Sequence, residues 1–326
     1  MMKDLNEKIV SEINSKLPKN ISAVNYLMDL LFLGKESAYR RLKSQIPFTL
    51  EEAAAIANDL GFSLDKIVET KEGSRVFFDM QTDFNKSSSE LYLDLLRGDV
   101  KTIKELNSTK DVKITSALNR IPLRFLQFDH LFKFIYCRYL HSKGDISMAV
   151  NFSDIIVPPE IVELRKELIY NFNRLNNITC ILNDNMFSKV IKSIQYCYRT
   201  GIVGDEDFRL LQKDMFDLLA FIEKLVTKGV NDYGCSYSFY YSLIELEADC
   251  ICYEYDNSTM LQIWLFPESP IIIKENRLMY KIFHEWINSK IKYSTLITKS
   301  NDLLQSRVIR ELYEQTSNMD KRFMPE

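Results

Sequence analysis

Glycine and proline are scarce in this chain, which has 9 glycines and 8 prolines among 326 residues. This scarcity favours helices. A chain of this length can bury a sizeable core and is long enough for two or three domains. Its formal charge of −3 provides no global field for nucleic acid, so any such binding has to come from a local basic patch.

Long apolar runs are missing as well. No stretch approaches the roughly 20 apolar residues that span a bilayer, and residues 1–18 read as a charged amphipathic helix rather than a signal peptide. The six cysteines lack CxxC spacing and have no histidine at zinc spacing, so they read as buried apolar side chains, with a metal or redox role for Cys250 and Cys252 as the alternative. We therefore expect a cytoplasmic protein with no membrane partner, no metal and no cofactor.

Signatures of common enzyme classes are also absent. The chain has no GxGxxG, P-loop, GxSxG or HExxH pattern. Glu245 and Glu247 would share a face if their stretch is a strand, and paired carboxylates can perform acid/base chemistry. Such a pair is more often the solvated face of a strand. We predict that the protein is not an enzyme.

What the chain does contain is the stretch LGKESAYRRLKSQIP, whose pattern predicts a recognition helix. Gly34 can adopt the positive φ of a sharp turn, and Pro47 ends the helix. Helical spacing directs Ala38, Leu42 and Tyr39 toward the interior and leaves basic side chains in solvent. Because a solvated surface helix would show the same pattern, the flanking segments decide between the two interpretations.

Capping signals on both sides of this stretch predict further helices. Ser22 is a candidate N-cap for an apolar helix, and Thr49 for a helix that ends at Gly61. Residues 63–68 form one more short capped helix, and an amphipathic helix at 4–17 precedes the others. The first seventy residues or so thus predict five helices with a short turn between the second and the third.

This arrangement resembles the XRE-type (Cro and lambda-repressor-like) helix-turn-helix domain, and its nearest relatives look like the BetR-like regulators of that group. The resemblance covers about residues 1–70 and is carried by LGKESAYRRLKSQIPFTLEEAAAIANDLGFSLDKIV. The end of this segment, NDLGFSLDKIV, is similar to ALGVSLDEL in many family members. The family usually has a glycine, an apolar residue and a serine in the turn. This chain has Phe32-Leu33-Gly34, which leaves two registers, one residue apart, for the recognition helix.

The resemblance implies that the third helix, around residues 35–46, contacts DNA. Ser37 and Glu36 lie three and four residues before Arg40, so one helical face can present all three to the major groove, with Arg40 as the candidate for guanine. Arg41 and the two lysines of the helix are assigned to phosphates, and in the other register the two arginines exchange roles. The predicted DNA-binding residues are Lys35, Glu36, Ser37, Tyr39, Arg40, Arg41 and Lys43.

The rest of the chain is assigned to a linker and one larger domain. Residues 71–89 interrupt the helical periodicity and predict the linker. Residues 90–230 show helical spacing, whereas 235–316 contains strand-like runs followed by helices. The predicted fold class is mainly α. It comprises a five-helix helix-turn-helix domain at 1–70 and an α+β domain at 90–326 with many helices and a small antiparallel sheet.

We interpret the chain as a sequence-specific DNA-binding transcriptional regulator with a C-terminal oligomerisation or effector domain. A single small helix-turn-helix reads only a few base pairs and gains affinity from a two-fold partner. The expected partners are therefore double-stranded DNA and a second copy of the chain, with a small-molecule or protein effector acting on the C-terminal domain. The alternative is a protein-interaction module whose helix-turn-helix does not bind DNA, which the near-neutral N-terminal domain favours.

Overall fold

A computed structural model of the chain describes residues 2–18, 20–68, 86–145, 150–266, 269–274 and 276–320. The chain divides into two compact units, Met1–Phe78 and Asp79–Glu326. We call them the N-terminal unit and the C-terminal unit and describe each by itself. Most of the predicted linker, residues 71–85, lies outside the described residues.

The N-terminal unit is a small helical bundle with a single apolar core. The core is centred on Ile13, Leu27 and Ile56, none of which has exposed surface. Its helices are α1 (Met2–Lys16), α2 (Ala23–Leu31), α3 (Lys35–Leu42), α4 (Leu50–Leu60) and α5 (Leu64–Ile67). The ends of α4 follow from local sequence, because Thr49 begins a capping box and Gly61 takes the left-handed conformation with φ 63°.

The C-terminal unit combines helices with one sheet. The helices are α6 (Ser88–Asn107), α7 (Asp129–Lys143), α8 (Pro159–Phe172), α9 (Asp184–Arg199), α10 (Asp205–Lys228), α11 (Arg277–Lys292) and α12 (Asp302–Ser317). The strands are β1 (Lys113–Ala117), β2 (Asn177–Leu182), β3 (Ser236–Tyr241), β4 (Cys250–Tyr255), β5 (Ser258–Phe266), β6 (Ser269–Lys274) and β7 (Thr295–Leu296). Short 3₁₀ turns lie at Leu123–Phe125 and Phe152–Asp154.

The sheet has seven strands in the order β6-β5-β4-β1-β2-β3-β7. Its centre is parallel, since β1 pairs with β2 and β2 with β3 in parallel registers. The remaining pairs are antiparallel, and one of them sets Thr115 of β1 opposite Cys252 of β4. Helices connect the parallel strands, as the long crossover between parallel neighbours requires. The sheet is therefore mixed, with the parallel centre of an α/β arrangement.

The predicted fold class, mainly α with a small antiparallel sheet, is wrong for this unit. The sheet extends well outside 235–316, because β1 and β2 lie within the region predicted to be helical. Both strands are only five or six residues long and are buried along most of their length. Strands inside a parallel centre are covered on both faces and lose the in–out alternation that identifies a strand from sequence.

Apolar clusters cover both faces of the sheet. On β4, Ile251 and Tyr253 belong to the large cluster formed with α6 to α10 and α12, whereas Cys250 and Cys252 belong to a smaller cluster with α11. Successive side chains of a strand point to opposite faces, so the sheet lies between two helical layers. Among the residues that the structure describes, no helix has both the length and the apolarity needed to cross a bilayer.

Candidate nucleic-acid interface

The turn between α2 and α3 has a different geometry from the one that the sequence predicts. Phe32 ends α2 in the left-handed conformation, with φ 52° and ψ 39°, whereas Gly34 is extended, with φ −69°, and caps α3. The prediction that Gly34 takes the positive φ was therefore wrong. A residue with a Cβ pays about 1 to 2 kcal/mol for this conformation, and the side chain of Phe32 is 94% exposed.

Five of the seven predicted DNA-binding residues form one exposed face of α3 and its C-cap residue. At about 100° per residue they occupy an arc of about 140°. These residues are Lys35, Glu36, Tyr39, Arg40 and Lys43. Tyr39 was predicted to pack inward, but it is 51% exposed, with the Lys43 Nζ 5.7 Å from its ring centroid. The face carries three cations and one carboxylate, which makes it a local basic patch on a chain with no global positive charge.

Arg41 lies on the other side of α3 and is held by α4. Its Nε and Nη2 donate to the two carboxylate oxygens of Glu52 at 2.8 and 2.7 Å, and its side chain is 12% exposed. Such a two-point pair is among the stronger charge-assisted contacts. Arg41 is thus engaged within the bundle, whereas Arg40 faces solvent. The half-buried Ser37 does not join the exposed face.

Glu52 is also the third helical residue of α4 and completes the capping box that Thr49 begins. It accepts a hydrogen bond from the Thr49 N–H at 2.9 Å, and its own N–H donates to the Thr49 hydroxyl. Partial burial acts to raise the pKa of this carboxyl. The hydrogen bonds from the Arg41 side chain and the Thr49 backbone outweigh burial, so the pKa of Glu52 is lowered. One carboxylate therefore caps α4 and fixes the orientation of α3.

Asn6 of α1 fixes the end of α3. Its Nδ2 donates to the Arg41 carbonyl at 3.0 Å and to the Ser44 hydroxyl at 2.9 Å, and its Oδ1 accepts from the Phe48 N–H at 2.9 Å. The side chain is 4% exposed. Sequence reasoning missed this residue. The one available signal is its place on the otherwise apolar stripe of α1, three residues before Ile9.

The candidate sites considered in the C-terminal unit do not form the predicted arrangements. Strand β3 ends at Tyr241, so Glu245 and Glu247 do not share a strand face. Glu247 instead pairs with the Lys290 Nζ at 2.6 Å. All six cysteines are buried and free, and burial raises the pKa of the Cys252 thiol to about 12. A thiol that stays protonated is a poor nucleophile and metal ligand. Within the described ranges, no cluster of three or more His, Cys, Asp or Glu residues could hold a metal.

Comparison of the chain with protein-family models, with curated proteins and with solved structures finds no match. The resemblance to XRE-type domains therefore rests on the sequence of residues 33–68.

Proposed function

We propose that the chain is a sequence-specific DNA-binding transcriptional regulator that uses α3 as its recognition helix. The observation that supports this most is the exposed face of α3, with an excess of two positive charges over about two turns. The major groove of B-DNA is wide enough to admit an α-helix. A short helix after a tight turn is the element that helix-turn-helix proteins place there.

The individual roles follow from exposure and chemistry. Arg40 is exposed, and its guanidinium group has no ion-pair or hydrogen-bond partner among the described residues. Its paired donors are therefore available for a guanine edge. Lys35 and Lys43 lie at the two ends of the same face and suit phosphates on either side of the groove. Arg41 is left out of this set, because contacting DNA would require it to leave Glu52.

The fixed position of α3 also supports the proposal. The helix is held by the fully buried Ala38, by the Arg41–Glu52 pair and by Asn6 at its end. A recognition helix needs a fixed orientation, because small displacements break its hydrogen bonds to base edges. Polar contacts that sit behind the helix, rather than on its outer face, leave that face available for DNA.

We further propose that the regulator acts in the cytoplasm as a homodimer through its C-terminal unit. Strand β6 lies at one end of the sheet, with β5 as its neighbour and Ile272 37% exposed. An open strand edge can pair across a two-fold axis. Size-exclusion chromatography with light scattering on the full chain should give the mass of a dimer at micromolar concentration. A monomer would remove the dimer from the proposal.

The test of DNA binding begins with selection of bound sequences from random duplexes and continues with fluorescence anisotropy at several salt concentrations. Arg40→Ala should weaken binding to the selected site by about 1 to 3 kcal/mol and relax preference at one base position. Arg209→Ala removes an exposed arginine from α10 and serves as the matched control. It should leave affinity unchanged.

The proposed phosphate contacts should affect the salt dependence of binding rather than the sequence preference. Lys43→Ala should weaken binding to all sequences alike and reduce the slope of log affinity against log salt by about one. Lys101→Ala, at an exposed lysine of α6, is its control. If the wild-type chain selects no sequence, or if neither substitution changes its DNA binding, the regulator proposal fails.

The second candidate function is a protein-interaction module that does not bind DNA. It is favoured by two large apolar side chains on the surface of the N-terminal unit, Phe32 at 94% and Leu50 at 76% exposure. Exposed apolar groups of this size are more typical of protein interfaces than of phosphate-contacting surfaces. A null result in the DNA experiments combined with loss of a protein partner in Phe32→Ser would establish this alternative.

A further inference from the structure

An apolar pocket lies inside the C-terminal unit, on the face of the sheet that carries α6 and α8. Its volume is about 110 Å³. Strands β4 to β6 and the segment 118–126 complete its walls. The apolar lining includes Leu96, Ile121, Phe172, Met260 and Trp264. A concave, mainly apolar site with a few polar groups is the usual form of a small-molecule site.

Most polar groups of the pocket are already engaged with the protein. The Arg120 Nε lies 2.8 Å from a carboxylate oxygen of Asp249. The Tyr253 hydroxyl donates to the Gln262 side-chain oxygen at 2.9 Å. Arg124 Nη2 donates to the Ser116 hydroxyl at 3.2 Å and lies 2.7 Å from the Cys180 sulfur. These contacts satisfy part of the polar lining before any ligand enters.

Asp99 is different. It lies on α6, is half-buried, and is the one carboxyl among the described residues that line the pocket. No hydrogen bond or ion pair joins the Asp99 carboxyl to another described residue. Removal from water raises the pKa of this carboxyl to about 7. A carboxyl in an apolar wall with no donor is unfavourable unless something pairs with it.

We propose that this pocket binds a small molecule with an apolar body and a primary amine, whose ammonium group pairs with Asp99. The apolar body packs against Leu96, Ile121 and Trp264. The competing choice is a ligand with a carboxylate, bound by the arginines. It is less favoured because Asp249 pairs with Arg120. Arg124 has one buried nitrogen without a hydrogen-bond partner, its Nε, but its guanidinium already contacts the rings of Phe125 and Phe172, at 4.9 and 5.2 Å from their centroids. This inference does not require the proposed DNA binding to hold.

The experiment uses the full chain and three probes of equal length, n-pentylamine, 1-pentanol and pentanoate, with binding measured by calorimetry and by the shift in melting temperature. The amine should bind at least tenfold more tightly than the alcohol, which occupies the same apolar space without the ion pair. Pentanoate should bind more weakly than the alcohol. Tighter binding of pentanoate than of the amine would overturn the proposal.

Asp99→Asn keeps the size of the side chain and removes its charge. It should reduce amine affinity at least tenfold while leaving 1-pentanol affinity unchanged. Unchanged binding of 1-pentanol shows that the pocket is still folded, so the weaker amine binding reports the lost ion pair. Asp94→Asn, at an exposed position on the same helix, is the matched control and should bind all three probes as wild type does. Unchanged amine affinity in Asp99→Asn would assign the amine to another site.

A pH series on the wild-type chain tests the same pair without any variant. The other titratable or charged groups that line the pocket are Tyr92, Arg120, Arg124 and Tyr253, and none of them changes charge between pH 6 and 8. Asp99 does ionise in this interval, so amine affinity should rise about tenfold from pH 6 to 8. A flat profile would contradict the pairing with Asp99.

Discussion

Different kinds of interaction stabilise the N-terminal unit and the C-terminal unit. The N-terminal unit has a small core, and polar groups with several simultaneous partners, Asn6 and Glu52, connect its helices. The C-terminal unit has a far larger continuous core around a seven-stranded sheet. Small domains bury a smaller fraction of their surface and are closer to the limit of stability. Single polar contacts should therefore matter more for the stability of the N-terminal unit than for that of the C-terminal unit.

The strongest test of this difference is Asn6→Ala. The substitution leaves the Phe48 N–H without its partner and removes the hydrogen bonds from Asn6 to the Arg41 carbonyl and the Ser44 hydroxyl. The N-terminal unit should therefore lose about 2 to 4 kcal/mol of stability. Hydrogen exchange followed by mass spectrometry on the full chain would show faster exchange in peptides of α1 to α4. Asn25→Ala, at an exposed position of α2, is the control. Equal exchange in the two variants would mean that Asn6 does not stabilise the bundle.

The next effect compares two Arg–Glu pairs. Arg41 and Glu52 have side chains 12% and 16% exposed, whereas Arg97 and Glu160 are 51% and 54% exposed. Arg41→Ala should cost the N-terminal unit about 1 to 3 kcal/mol, because Glu52 loses two charge-assisted hydrogen bonds. Arg97→Ala should leave the urea unfolding midpoint of the C-terminal unit unchanged, because water screens exposed pairs. A shift of the same size for both pairs would remove the distinction.

Lowering the pH should have a smaller effect on the stability of the N-terminal unit. Because the pKa of Glu52 is lowered in the folded state, its contribution is fully present above its ordinary value of 4.5. That contribution is lost as pH falls from there through the folded pKa. The melting temperature of the N-terminal unit should therefore fall below pH 4.5 by a larger amount in wild type than in Glu52→Gln. A parallel fall in both would show that other carboxyls cause the acid sensitivity.

The smallest effect has the opposite sign. Phe32→Gly removes the strain of a left-handed residue with a Cβ and also increases the freedom of the unfolded chain. The net result should be a gain of about 0.5 to 1 kcal/mol for the N-terminal unit, measured by thermal unfolding. Phe32→Ala, which keeps a Cβ, is the control and should show no gain. A loss of stability in Phe32→Gly would mean that the aromatic ring stabilises the turn.

Sequence predicts the N-terminal unit better because its signals are local. Thr49, Glu52 and Gly61 lie within thirteen positions of one another and mark both ends of α4. The β4–β5 hairpin, with its turn at 256–257, is equally local. The parallel centre of the sheet is not local, because β1 and β2 are separated by residues 118–176, which contain α7 and α8 and carry stronger helical patterns.

In the candidate interface, too, local relations could be predicted from the sequence and long-range contacts could not. Helical periodicity correctly predicts that Arg40 and Lys43 are exposed, but it also predicts exposure of Arg41, whose side chain is only 12% exposed. The role of Arg41 depends on Glu52, eleven residues further along, and that of Asn6 on residues up to 42 positions away. Neither contact has a spacing that a single sequence could reveal. The carboxyl of Asp99 likewise becomes notable only when the strands β4 to β6 close the pocket around α6.

The pairing of β1 with β4 also has a consequence for the order of events on the ribosome. Thr115 and its partner Cys252 are 137 positions apart, and at about 5 to 20 residues per second this distance takes roughly 7 to 27 s to synthesise. The N-terminal bundle needs no residue beyond 67 for its last helix. The bundle can therefore fold first during synthesis. The edge of β1 that pairs with β4 has no partner until β4 has been synthesised, and such an unpaired strand edge can associate with another chain.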